Sequence, residues 1–115
     1  MEHFISFGKM ALREVMTGTF AGSLESENLT IAYTDMKAGV EVPLHHHPEE
    51  AVDIIMEGEL EMQVGEAVNL LTHGMISIVP SNMPHRAKAI SNCKVITILH
   101  PRRSDLKQTM LISSE

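Results

Sequence analysis

The residues best placed for chemistry are the histidines. His45, His46 and His47 stand in a row between Pro43 and Pro48, in a segment read as a strand. Side chains two apart on a strand share a face, so His45 and His47 point one way and His46 the other, toward solvent or an interface. Two imidazoles on one face can chelate a single transition metal, because imidazole nitrogen suits Zn, Fe, Ni, Cu and Mn. A third ligand must come from a distant strand. His85, closing Pro80-Ser81-Asn82-Met83-Pro84-His85, is the best candidate. Taken alone, a His-x-His pair serves equally well as two exposed loop histidines. His3, His73 and His100 are read as exposed or locally bonded.

Positioning such a site calls for strands, and the chain supplies them. Leu29 to Thr34 is β-rich and ends near the turn signal Lys37-Ala38-Gly39. Glu59 to Val64 alternates polar with apolar at period two between Gly58 and Gly65, the pattern of a half-buried strand. Met75 to Val79 lies between Gly74 and Pro80, and Val95 to Leu99 is a β-branched run stopped by Pro101. Many short strands at this spacing predict an all-β sandwich or barrel. Helical turns are expected only at Lys9 to Met16 and near Ser104 to Leu111.

The bulk properties narrow the function classes. A length of 115 residues suits one domain with one modest core. A net charge of −6 opposes nucleic-acid binding, which needs a basic face. No apolar run approaches the ~18 residues that span a bilayer, and Met1 to Ile5 lacks the features of a signal peptide. The single cysteine, Cys93, permits no intrachain disulfide and fits a reducing, cytoplasmic setting. Aromatics are limited to Phe4, Phe7, Phe20 and Tyr33, and nine methionines take over part of the filling.

The whole arrangement resembles a known family. Gly39, five residues, His45, one residue, His47, then acidic residues and Gly58 are similar to the first cupin motif. Gly74, five residues, Pro80, Asn82 where glycine is usual, and His85 are similar to the second. The likeness covers about residues 18 to 106 within a single domain spanning 1–115. It implies a double-stranded β-helix, the cupin jelly-roll barrel, with a divalent transition metal (Zn, Ni, Fe or Mn) at its mouth. It also implies a homodimer in which edge strands cross between protomers. Small cupins linked to pectin and uronate breakdown are the most similar in their lead-in (Ala38 to Pro43) and tail (Pro101 to Leu106).

Two departures from that pattern bear on function. The place of the usual Glu or Gln ligand is held by Ala51, which cannot ligate; Glu50 could replace it if a bulge after Pro48 turned it inward. The uronate-processing relatives also carry an acid in the last core strand, two residues before an aromatic and six before an arginine. Those places look like Thr97, Leu99 and Arg103 here, so the acid is a threonine, which is no general base near neutral pH. Arg103 is the candidate clamp for a substrate carboxylate, with a solvated pairing to Asp105 or Glu115 as the alternative. Asp53, Met62, Thr97 and Tyr33 are placed near the histidine face. Asp53 is the only plausible base among them, or else the acceptor that orients a histidine.

Three neutral imidazoles leave coordination positions open, the mark of a catalytic rather than a structural site. The first functional reading is a metal-dependent lyase, isomerase or tautomerase acting on a small oxygenated acid such as a sugar acid, in a fairly apolar pocket. The second is a three-histidine iron dioxygenase. The third is a non-catalytic binding or sensor module, favoured by Ala51 and Thr97. Metal retention is expected to weaken as pH falls through roughly 6, where free imidazole takes up a proton.

Overall fold

The fold follows from period-two patterning that two sheets can share. In a computed structural model describing residues 3–103, a 3-10 turn at Phe7–Lys9 leads into ten strands. These are β1 (Arg13–Met16), β2 (Thr19–Glu25), β3 (Thr30–Met36), β4 (Glu41–His45) and β5 (Glu50–Glu57), followed by β6 (Leu60–Val64), β7 (Ala67–Leu71), β8 (Ile76–Val79), β9 (His85–Ala89) and β10 (Cys93–His100). A six-stranded sheet runs β1-β2-β3-β10-β5-β8 and a four-stranded sheet runs β4-β9-β6-β7, with every pairing antiparallel.

The inner faces of the two sheets close on one another. β3 alternates strictly, burying Thr30, Ala32, Thr34 and Met36. β10 buries Cys93, Val95 and Leu99 and ties the larger sheet together between β3 and β5. The core combines Met36, Ile55, Val95 and Leu99 with Leu60, Met62 and Leu71 from the smaller sheet. These side chains do not fill the barrel completely, and the space they leave reaches the histidines. Several tight reversals need left-handed backbone. Gly58 has φ +91°, and a Cβ there would collide with the Asn92 carbonyl oxygen. Asn82 has φ +63°, the left-handed region, in the place where glycine is usual.

The four strands read from β-rich and alternating runs are present, with shifted ends. The helical turn expected over Lys9 to Met16 is not: its first residue closes the 3-10 turn, and Arg13–Met16 is β1. Pairing with β2 and burial of Val15 override the local helical tendency there. The turn expected at Ser104 to Leu111 lies outside the described residues. No helix among the described residues is long and apolar enough to cross a membrane.

Candidate metal centre

Two strands and one loop bring the histidines together. β4 ends at His45, whose partner across the ladder is His85, the first residue of β9. The ladder slips between Val42 and His45, where Pro43 has no N–H to donate. His47 therefore lies just beyond the strand rather than inside it, a correction to the regular strand expected through all three histidines. The alternation survives: His47 and His85 are buried, His45 is half-buried, and His46 is exposed. The chain is pinned just there, because the Asn82 N–H donates to the His47 carbonyl.

One ligand atom from each of His45, His47 and His85 lies within 4.8 Å of the others. The ring centroids are 4.1 Å apart for His45 and His85, 4.8 Å for His47 and His85, and 5.7 Å for His45 and His47. Every Nδ1 faces a backbone carbonyl: His45 that of Pro43 at 2.7 Å, His47 that of Glu49 at 3.0 Å, and His85 that of Met83 at 2.8 Å. A carbonyl only accepts, so each Nδ1 carries the proton and each neutral ring keeps its lone pair on Nε2. Burial, aided by the other imidazoles, lowers the His45 pKa from 6.5 to about 4 and lowers that of His85 as well. Three neutral imidazoles with fixed tautomers are the donor set a divalent transition metal requires.

The clustered histidines open onto a cavity of about 120 Å³ between the sheets. Its wall also carries Ala51, Asp53, Thr97 and Met62. Asp53 sits directly across the ladder from Thr97 on one side and Ser77 on the other. The Thr97 hydroxyl donates to one carboxylate oxygen at 2.7 Å and the Ser77 hydroxyl to the other at 3.0 Å. Burial raises the Asp53 pKa despite these two donors. Asp53 is thus held by the threonine that stands where the resemblance leads one to expect an acid.

The other expected residues fall elsewhere. Glu50 is exposed at the start of β5, across from His100, and takes no part in the cluster. Tyr33 stacks on Phe7 at 5.3 Å and does not line the cavity. Arg103 does not line it either: its Nε is 3.3 Å from Glu49 Oε2, and its backbone N–H and C=O both meet the Thr30 hydroxyl at 2.7 Å. Glu49, which the sequence reading does not single out, is buried, with Oε1 3.7 Å from His47 Nδ1. No strand alternation signals it, because Glu49 lies in the bend just before β5. Glu49 and Arg103 form a largely buried pair behind His47, which supports that imidazole from outside the cavity.

The family model described as "Cupin domain" matches residues 32–99, more than half of the chain. The chain is a cupin. Among solved structures, an RmlC-like cupin from Shewanella frigidimarina is 24% identical with a TM-score of 0.85, covering 92% of this chain and 96% of its own. KdgF from Halomonas sp. is 19% identical with a TM-score of 0.86, covering 92% and 99%. A variant oxalate decarboxylase from Bacillus subtilis is 20% identical with a TM-score of 0.75, over 84% of this chain but 29% of that one. These likenesses establish the jelly-roll cupin fold. No curated protein matches the chain in sequence.

Proposed function

We propose that this cupin is a metal-dependent enzyme of the lyase, isomerase or tautomerase kind, acting on a small oxygenated acid. The observation that carries the reading is the triple Nδ1–carbonyl arrangement, which leaves three Nε2 lone pairs within reach of one point. His45, His47 and His85 would hold a divalent ion, Zn, Ni, Fe or Mn, with Ala51 leaving the adjacent position free of protein ligand. Such an ion supplies Lewis acidity toward a carbonyl or hydroxyl oxygen. Asp53 is the acid–base group. Its burial moves a carboxyl toward the pH at which proton transfer is efficient, and its two hydroxyl donors fix where the proton leaves and returns. In this role Asp53 takes a proton from the carbon next to the substrate carbonyl and delivers it elsewhere on the same molecule. Met62 and neighbouring apolar side chains exclude water around that exchange.

The test is proton exchange at the carbon next to the carbonyl, followed by NMR in deuterated water with metal-loaded protein and 2-oxo acids. The wild type is expected to exchange that hydrogen, and Asp53→Asn to slow exchange by at least about a hundredfold. Equal rates for both would remove Asp53 from the chemistry.

A binding module is the second reading, and the pairing of Arg103 with Glu49 favours it, because the expected carboxylate clamp lies outside the cavity. Ligand-induced thermal stabilisation without any exchange or product would select it. We also propose a homodimer. Ile76 and Ile78, 55% and 61% exposed, lie on β8, an edge strand whose outer ladder has no partner among the described residues. Sedimentation at micromolar concentration should give twice the chain mass, and a monomer there would overturn this.

A further inference from the structure

Glu49 is 9% exposed, and its Oε1 is buried without a hydrogen-bond partner among the described residues. A polar atom left so is rare in a native structure and calls for an explanation. Oε1 stands beside the His47 ring, 3.7 Å from Nδ1. The Nδ1–H itself donates to the Glu49 backbone carbonyl at 3.0 Å, so the carbonyl and the carboxylate of one residue share the same edge of the imidazole. His45 and His85 differ. Each meets a backbone carbonyl, and among the described residues no carboxylate comes within ion-pair range of either ring.

The carboxylate is held from outside the cavity. Arg103 Nε stands 3.3 Å from Oε2, and the two side chains are largely buried, 15% and 11% exposed. Residue 103 is fixed in turn by its backbone, since the Thr30 hydroxyl accepts its N–H and donates to its C=O. Thr30, Leu99 and Ala51 are successive neighbours across the ladders, so this anchor sits beside the start of β5, next to Glu49 in the chain. With Oε2 turned to Arg103, Oε1 is left to the imidazole.

We propose that Glu49 is a positioning residue for the metal centre, its carboxylate being the second acceptor for His47 Nδ1–H. This deepens the proposed function and rests on its metal site. A cation on Nε2 draws electrons from the ring and makes Nδ1–H a stronger donor. A carboxylate answers that donor better than a neutral carbonyl does, which raises the basicity of the ligand nitrogen and fixes the ring's orientation. His47 is then the strongest of the three ligands, and Arg103 keeps its carboxylate in place.

The experiment compares zinc affinity, measured against a chelating dye, in wild type, Glu49→Gln and the double variant Glu49→Gln/Arg103→Met. Glutamine keeps the shape of the side chain and loses its charge. It should weaken zinc binding by about ten- to a hundredfold. In zinc-loaded protein carrying isotope-labelled histidine, it should also move the His47 Nδ1–H proton upfield while those of His45 and His85 stay in place. The double variant removes the charge left uncompensated beside position 49, so its melting temperature should recover while zinc binding stays weak. Zinc affinity unchanged by Glu49→Gln, an equal shift of all three Nδ1–H protons, or zinc binding that recovers along with the melting temperature would each overturn the proposal. The two failures are distinct. A wild type that takes up no zinc removes the metal site and the proposal with it, whereas normal uptake with no effect of Glu49→Gln leaves the site and removes only the positioning role.

Discussion

Thr97→Val tests the electrostatics of the cavity at one atom. Threonine and valine are nearly the same shape, so the change removes the hydroxyl that donates to Asp53 at 2.7 Å and little else. Asp53 keeps the Ser77 donor at 3.0 Å. A hydrogen bond to a charged acceptor contributes about 1.5–3 kcal/mol, and Asp53 is crowded by protein even where its edge opens on the cavity, so the upper half of that range is expected. The loss must depend on pH. Burial already raises the Asp53 pKa in the fold, and losing a donor raises it further. A folded-state pKa above the unfolded value means that stability present at low pH is lost as pH rises through the folded pKa. The difference between variant and wild type should therefore be small at acid pH, where the carboxyl is protonated, and grow to its plateau above the Asp53 titration. Urea denaturation of metal-free protein from pH 3.5 to 8 measures it. At a slope of about 1–3 kcal/mol per molar, the midpoint should fall by about 1 M at the plateau. Ser77→Ala, removing the longer bond, should follow the same curve at smaller amplitude. A pH-independent loss, or a larger effect from Ser77→Ala, would refute the assignment of Asp53 as a buried carboxylate held chiefly by Thr97.

Other consequences are equally direct. His47→Ala should lose the metal and His46→Ala retain it, read by elemental analysis after dialysis, because only the first ring faces the cluster. Metal release should come at lower pH than free imidazole would give, since burial lowers the His45 pKa to about 4 and lowers that of His85 too; release complete at pH 6 would contradict this. Without metal, the protein should lose stability as pH falls from about 6.5 to about 4, where unfolded chains take up protons that the folded His45 refuses. Allowing for the solvent around a half-buried ring, that loss is on the order of 1–2 kcal/mol by denaturant titration. At Asn82, with φ +63°, Asn82→Gly should be neutral or stabilising and Asn82→Ala should cost about 1 kcal/mol in the same titration.

The sequence exposes the fold through its punctuation more than through its strands. Gly39, Gly58, Gly65 and Gly74 all adopt positive φ and bound the runs recognised as β, so turn chemistry marks where strands have to stop. β1 escapes such a reading because four residues carry too little periodicity to outweigh helical propensity, and pairing with β2 decides the matter. The metal cluster is legible because its ligands are close in sequence on one side and motif-bounded on the other. The Asp53–Thr97–Ser77 contact depends on ladder register, which no local pattern encodes. Family likeness alone places Arg103 in the cavity, and a buried partner two residues from His47 draws it away. Loss of metal near pH 6 presumes free imidazole, and desolvation of His45 and His85 changes that value.

Metal content with ligand identity is the decisive measurement. X-ray absorption on protein purified without a histidine tag and incubated with Zn, Ni or Fe should give one ion per chain. The same spectra should show three imidazole nitrogens at about 2.0–2.1 Å. An ion-free protein after all three metals, or a bound ion whose ligand shell is unchanged by His85→Ala, would contradict the convergence of His45, His47 and His85 on a single centre.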